Sequence, residues 1–467
     1  MILEQHELGC LSLFSYLIGD ESTGRAVVVD PQRDVGRYLA EAERLGLEIE
    51  RVIETHFHAD FLSGHLELAA ATGAVISYGD RAQPDFAFEG LADGQRLSLG
   101  EVELEIRHTP GHTPESISIV VYDHADAPPR GVLTGDALFI GDVGRPDLLT
   151  SVGYAADDLA RQLYRSLRDQ LMTLPDETFV YPAHGAGSAC GKHLSSAKRS
   201  TIGEQRSTNY ALAPMTEDHF VEVVTEGQSV APLYFAFAAN ANRRQRELLD
   251  EQGDLPTLDL DLTTRQQAEG VVVIDARPGE QFAAGHLRGA LNVGLDGRFA
   301  EYAGDVLRPG QSVVVVTEPG REHEARVRLA RIGFDHVIGA LTECSAQLAH
   351  RPDLVEHAPR ISGAEIDEWR ETVRELQIVD VRNPSEVIRG RIEGSVNLPL
   401  PTLLDRLAEL DPSAPTLVYC ASGYRSATAA SLLRHVGFAQ VVELAGGYDA
   451  VCQPERAPVE RGESCGR

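Results

Sequence analysis

Along its first half the chain alternates short apolar runs with stretches of helical period. Ala26 to Asp30 is a β run, residues near 34–46 carry a helical pattern, and Arg51 to Thr55 is the next β run. Strand and helix alternating in this way over residues 1 to about 250 predict an α/β layered domain. After a short mixed segment, Thr257 to Leu262, the pattern restarts with Val271-Val272-Val273-Ile274-Asp275, the signature of a buried strand. A second domain begins there, and it is repeated. Residues 271–293 realign on 378–398, so that Asp275 falls on Asp380, Arg277 on Arg382, Gly289 on Gly394 and Asn292 on Asn397, each 105 residues apart. Further on, Val313 to Val316 falls on Thr416 to Tyr419, and Gly320 on Gly423, at an offset of 103. The pattern therefore divides the 467 residues into domains at 1–255, 256–355 and 360–456, with a polar tail at 457–467. Length alone, at roughly 150 residues per domain, gives the same count.

Composition narrows the class. Hydrophobic residues are 43% and charged residues 24%, as in a globular protein with several cores, and no apolar stretch approaches the length of a membrane span. Against 71 Asp and Glu stand 42 Lys and Arg, a formal net charge of −29, and only Lys192 and Lys198 carry ammonium groups. Such a surface repels phosphate backbones and anionic headgroups, so neither nucleic acid nor a membrane is an expected partner. The N-terminus lacks a basic region and a small-residue cleavage site, and the six cysteines show no paired spacing. A reducing cytoplasm is the expected location.

The first domain holds an ordered set of metal-ligand types. Thr55-His56-Phe57-His58-Ala59-Asp60-Phe61 follows a predicted strand, and His112, Asp136 and His184 each follow a later apolar run. A lone histidine is more often structural than a ligand, but alternating side chains at strand ends converge on one point, which suits a cation. The set resembles the metallo-β-lactamase superfamily over about residues 1–250. Where its hydrolases have His directly after the Asp of the motif, this chain has Phe61, which removes a ligand of a second ion. Within the superfamily the sequence is most similar to the persulfide dioxygenases. That resemblance implies one mononuclear Fe(II) per chain on His56, His112 and Asp136, open to dioxygen and a thiol persulfide, with His58, Asp60 and His184 hydrogen-bonding the ligands or bound water. Gly144-Arg145-Pro146-Asp147 resembles the GRxD segment of these enzymes. Arg145 there either binds an anionic group of the thiol carrier or serves structure. Cys190, in a Gly-rich loop past His184, is either an acceptor of sulfane sulfur near the iron or a packed thiol.

The third domain holds the best nucleophile candidate. Cys420 ends a buried strand, and Ala421, Ser422, Gly423, Tyr424, Arg425 and Ser426 lead into a helical pattern. Backbone N–H groups curling around a strand-end thiol form a nest for a persulfide or an oxyanion. The region resembles the rhodanese domain, and so does the preceding repeat, although Gly390-Arg391-Ile392 stands where many members have Gly-His-Ile. Four residues separate Cys420 from Arg425, where related phosphatases have five, which favours sulfur transfer over phosphate chemistry. The resemblance gives Cys420 and Arg425 catalytic roles and the loop a substrate-binding one. In the first repeat the loop reads Thr317-Glu318-Pro319-Gly320-Arg321-Glu322. With no thiol, one amide removed by Pro319 and added carboxylates, that repeat is expected to be silent: a spacer, an oligomerisation surface or the wall of a shared cleft. Cys452 and Cys465 are relay candidates or incidental thiols, and Cys10 and Cys344 have no suggestive context.

The expected fold is thus α/β, a metallo-β-lactamase-like αββα sandwich followed by two rhodanese-like domains. The three-domain order resembles the enzymes of bacterial sulfide detoxification. It implies oxidation of a low-molecular-weight thiol persulfide to sulfite, coupled to a Cys420 sulfurtransferase giving thiosulfate, in a homo-oligomer. Two alternatives stay open at this level: the reverse coupling, in which thiosulfate loads Cys420 and feeds the dioxygenase, and a glyoxalase-II-like thioester hydrolase with accessory rhodanese domains. A non-catalytic scaffold leaves the His/Asp set and the Cys420 loop without a purpose. The identity of the thiol carrier is not encoded in any of these residues.

Overall fold

The computed structural model describes residues 1–150 and 153–452. They form two compact units: Met1–Asp254 with Leu307–Gly310 and Arg326–Asp335, and Leu255–Val306 with Gln311–Ala325 and the chain from His336 onward. Both short segments are assigned to the first repeat on sequence, and the second, Arg326–Asp335, joins the first unit through ion pairs. Buried Arg33 pairs with Glu67 at 3.1 Å and with Asp335, and Arg331 pairs with Asp34 at 2.7 Å.

Two six-stranded sheets build the first unit. One runs in the order Ile2–Leu8, Leu13–Gly19, Arg25–Val29, Glu48–Ile53, Val75–Gly79 and Glu89–Leu91. The other runs Ser200–Thr201, Phe179–Pro182, Pro129–Gly135, Ile117–Tyr122, Glu103–His108 and Arg96–Ser98. Period-two alternation decides which core each side chain enters. Phe14, Tyr16, Val27, Val29, Ile119 and Val121 fill the layer shared by the two sheets. Their neighbours Leu17, Ala26 and Val28 instead pack under the helix Gly36–Leu45, and Val120, Val132 and Val180 under the helix Ala156–Arg165 and the segment Ser166–Leu171. Both faces of both sheets are apolar, so this is the four-layer αββα sandwich that the sequence predicts.

The second unit holds two five-stranded parallel sheets of one topology. The first is ordered Thr257–Leu258, Val337–Leu341, Val313–Val316, Val272–Asp275, Leu291–Asn292; the second Arg360–Ile361, Val441–Leu444, Thr416–Tyr419, Gln377–Asp380, Val396–Asn397. The repeated residues explain themselves here. In the first sheet the Arg277 guanidinium closes on the Asp275 carboxylate, and Asn292 Nδ2 donates to the carbonyls of Asp275 and Arg277 at 2.9 and 3.0 Å. In the second, Arg382 closes on Asp380, and Asn397 donates to the carbonyls of Asp380 and Arg382 at 2.9 and 2.8 Å. Each trio ties off the C-terminal ends of two neighbouring strands. Among the described residues no helix is long and apolar enough to cross a membrane.

Candidate metal centre and thiol loop

His56, His112 and Asp136 each follow a strand of the sandwich and meet there, their ligand atoms all within 4.8 Å of one another and fully buried. Asp136 Oδ2 lies 3.3 Å from His112 Nε2 and 3.8 Å from His56 Nε2. The hydrogen bonds behind them select the tautomers. Thr55 Oγ1 gives its single proton to Asp30, which as a carboxylate only accepts, so at 2.9 Å it accepts from His56 Nδ1. The carbonyl of Arg145 likewise accepts from His112 Nδ1 at 2.9 Å. Both imidazoles therefore turn an unprotonated Nε2 inward, as a metal requires. His56 Nε2 and Asp136 Oδ2 are buried with no hydrogen-bond partner among the described residues. Orphaned lone pairs of this kind are costly unless a cation fills the space between them, so the donor set fits a metal.

His184 does not join this set; it braces it. Its Nδ1 lies 2.8 Å from Asp136 Oδ1 and its Nε2 2.8 Å from Asp60 Oδ2, so both nitrogens donate to carboxylates. Burial opposes the charge, but Asp136 and Asp60 outweigh it and push the imidazole up to about 10. Burial likewise works against the Asp136 carboxylate, and the three surrounding imidazoles hold it well below the usual range. His58 turns away to a separate cluster, 3.0 Å from Asp30 and 3.4 Å from Glu54. There Asp30 links it back through Thr55 to His56, while Phe61 packs against its ring at 4.4 Å. Asn242 donates to the carbonyls of His58 and Phe61 and accepts from the amide of Ser63, which fixes the motif loop. Gly144 permits the close approach of its own loop, for a Cβ there would stand 1.9 Å from the Asp136 carbonyl.

Arg145 is buried, with its guanidinium bidentate on Asp147 at 2.7 and 2.8 Å and further bonds to the carbonyls of Ala189 and Ser229. It holds the wall of the centre together, and its donors face protein. The Cys190 sulfur belongs to a second buried group with Asp60 and His184. Burial, then the charges of Asp60 and Asp136, push its thiol well above the usual range. A groove of about 230 Å³ lies against the motif, lined by Ala59, Leu148, Leu149, Phe235 and Ala239, with Arg243 stacked over Phe57 at 4.8 Å.

In the second unit Cys420 follows the strand Thr416–Tyr419 and precedes the helix Tyr424–His435. Its buried sulfur accepts from the amide of Gly423 at 3.1 Å, which the positive φ of Gly423 (111°) turns inward, and lies 3.5 Å from Ser426 Oγ. Ser426 Oγ is 2.9 Å from Glu443 Oε1. Ala421 and Ser422 complete the turn, the carbonyl of Ala421 being held by the amide of Asp449. Tyr424 reaches from the loop to the Gly294 carbonyl of the first repeat and packs on Tyr302 at 5.2 Å. Arg425 is bidentate on Glu386 at 2.7 and 2.8 Å.

In the first repeat Thr317 is buried, and the amide of Gly320, the counterpart of the Gly423 amide, bonds the Glu322 carboxylate at 3.0 Å. The anion site of that loop is filled by its own side chain. Cys452 is exposed; Cys465 and the polar tail lie outside the described residues.

Reading the sequence passed over Thr55, Asp30, Glu54, Asn242, Arg360 and Glu443. Asp30 and Glu443 shared one signal, a carboxylate ending or within a largely apolar strand run, and Glu54 follows the apolar pair Val52-Ile53.

The sandwich and its buried His, His, Asp set define a metallo-β-lactamase-fold metalloprotein extended by two rhodanese-like domains. The metallo-beta-lactamase superfamily profile matches residues 8–184, and the rhodanese-like domain profile matches residues 260–342 and 363–453. The persulfide dioxygenase ETHE1, mitochondrial, of Bos taurus and that of Homo sapiens are each 33% identical over 235 residues, which is 50% of this chain and 83% of theirs. A solved metallo-beta-lactamase from Staphylococcus aureus subsp. aureus COL is 31% identical, with a TM-score of 0.68 over 73% of this chain and 99% of that one. The chain belongs to the family of the ETHE1 persulfide dioxygenases and carries tandem rhodanese-like domains in addition.

Proposed function

We propose that the protein oxidises a low-molecular-weight thiol persulfide to sulfite at one Fe(II) per chain, and that Cys420 joins sulfane sulfur to that sulfite as thiosulfate. The observation that carries this reading is the meeting of two imidazole Nε2 atoms and one carboxylate oxygen, with no fourth protein donor from position 61. Fe(II) held on His56, His112 and Asp136 supplies, when bound, open coordination positions and the electron chemistry that dioxygen needs.

The chain's own residues do the rest. Thr55 and the Arg145 carbonyl keep both histidines in the ligating tautomer, and His184 holds Asp136 with Oδ2 facing them. The apolar groove beside Ala59 takes the carbon body of the persulfide and excludes water, and Arg243 stands at that groove for an anionic end. Cys190, buried beside Asp60 and His184, lines the centre. At Cys420 the Gly423 amide stabilises the sulfur anion that remains after transfer.

The test is anaerobic purification with metal analysis, then oxygen uptake with glutathione persulfide and identification of the sulfur product. About one iron per chain with persulfide-dependent uptake is expected; two zinc ions without uptake overturn the reading. Cys420→Ser should still consume oxygen but release sulfite, and thiosulfate formed at the normal rate would remove Cys420 from the mechanism.

A further inference from the structure

Transfer from a persulfide to sulfite brings two anions together in a chain whose net charge is −29, so the loop needs a cation of its own. Two arginines stand beside it, and only one is available. Both terminal nitrogens of Arg425 are spent on Glu386, and Arg425 does not line the cavity in front of the loop. Arg360, at the start of the edge strand Arg360–Ile361, does line it. Its Nε lies 2.9 Å from Glu443 Oε2, an ion pair without hydrogen-bond alignment, and its two terminal nitrogens make no hydrogen bond or ion pair among the described residues. The other oxygen of Glu443 holds Ser426, whose Oγ is 3.5 Å from the Cys420 sulfur. One buried carboxylate thus places both the thiol's neighbour and the arginine.

The cavity, of about 230 Å³, is bounded by Ser422, Gly423 and Tyr424 on one side and by Asn292, Gly294 and Leu295 of the silent repeat on the other. Two acidic residues also border it. Asp296 is paired with Arg321 at 2.9 Å, and Glu280 is exposed to solvent, which screens its charge.

We propose that Arg360 is the anion-binding residue of the Cys420 reaction, its terminal nitrogens holding sulfite in the cleft between the two repeats. This rests on the sulfurtransferase reading above. The sulfite sulfur forms a bond to the outer sulfur of the Cys420 persulfide anion. The bond from that sulfur to Sγ breaks, its electron pair remains on Sγ as thiolate, and thiosulfate leaves. Three negative charges enter and three remain, with no outside oxidant or reductant.

The experiment compares two acceptors on the full-length protein loaded with glutathione persulfide: sulfite, a dianion, and dithiothreitol, which is uncharged. In Arg360→Gln the ratio of kcat/KM for sulfite to that for dithiothreitol should fall about tenfold or more, the worth of one charge-assisted contact. An unchanged ratio, whether because neither acceptor is affected or because both lose equally, makes Arg360 a strut for Glu443 and overturns the proposal. Should Arg360→Gln not accumulate, the double variant Arg360→Gln, Glu443→Gln removes the unpaired buried carboxylate, and the same ratio decides. Cys420→Ser separates the two claims. If it transfers sulfur to either acceptor like the wild type, the sulfurtransferase reading fails and takes this proposal with it; if only the Arg360 ratio stays unchanged, the transferase reading stands alone.

Discussion

His184 Nδ1 stands 2.8 Å from Asp136 Oδ1, on the carboxylate oxygen opposite the one that faces His56 and His112. The contact fixes which oxygen is left for a metal. Replacing His184 with Ala frees the carboxylate to rotate and leaves Asp60 without its cation, so iron affinity should fall about 10- to 100-fold. Equilibrium metal titration of the variant reads this directly, and wild-type affinity would make His184 a bystander.

Thr55 is the hinge of the second brace, taking a proton from His56 and giving one to Asp30. Thr55→Val keeps the shape and strands both partners in a buried place. A stability loss of about 1–3 kcal/mol is expected in urea unfolding, together with weaker metal binding. Thr55→Ser should restore most of both, and a Val variant as stable as wild type would show that the hydroxyl carries nothing.

A Cβ on Gly144 would meet the Asp136 carbonyl at 1.9 Å and His112 Nδ1 at 3.1 Å. Both neighbours are fixed, one being backbone and the other a buried ring, so Gly144→Ala must push the two ligands apart. Metal content per folded chain should drop, most visibly by elemental analysis after dialysis. Full loading would mean that the loop moves freely.

Placing a thiol in the silent repeat should not awaken it. In Thr317→Cys the sulfur would find the Gly320 amide already bonded to Glu322, with Pro319 supplying no donor. In a Cys420→Ser background this variant is expected to show no sulfur transfer above that background, and measurable turnover would mean that the loop rearranges around a thiol.

The stability of the second unit should fall in acid through His286. Burial against Phe282, whose ring stacks on it at 3.6 Å, lowers its pKa from 6.5 to about 4. The unfolded chain therefore binds a proton that the folded chain refuses, and stability present above about 6.5 is lost as the pH falls through that window toward about 4. Melting curves of wild type and His286→Gln should diverge above pH 6.5 and converge near pH 4; parallel curves would assign the acid sensitivity elsewhere.

Much of the architecture was legible in the chain because its signals are periodic or local. Alternation placed the sandwich strands, the 105-residue offset found the repeats, and strand-end His and Asp marked side chains that the fold brings together in one buried cluster. The arginines were harder. Arg145 and Arg425 stand in motifs that suggest contact with an anion, yet both guanidinia are closed on carboxylates, Asp147 two residues away and Glu386 thirty-nine residues away. Which partner fills a guanidinium fork depends on packing between distant elements, and for the same reason the open fork of Arg360 had no sequence signature.

The Asp, Arg and Asn trio that ties off the strands is complete in both repeats, including the one without a thiol. Stability of this small sheet is therefore uncoupled from the chemistry of the loop in front of it. A loop without a thiol thus sits on a complete scaffold, and a protein engineer can use that: the exposed turn at residues 318–320 is a place to graft a foreign loop while Thr317 stays buried and Arg321 keeps its pair with Asp296.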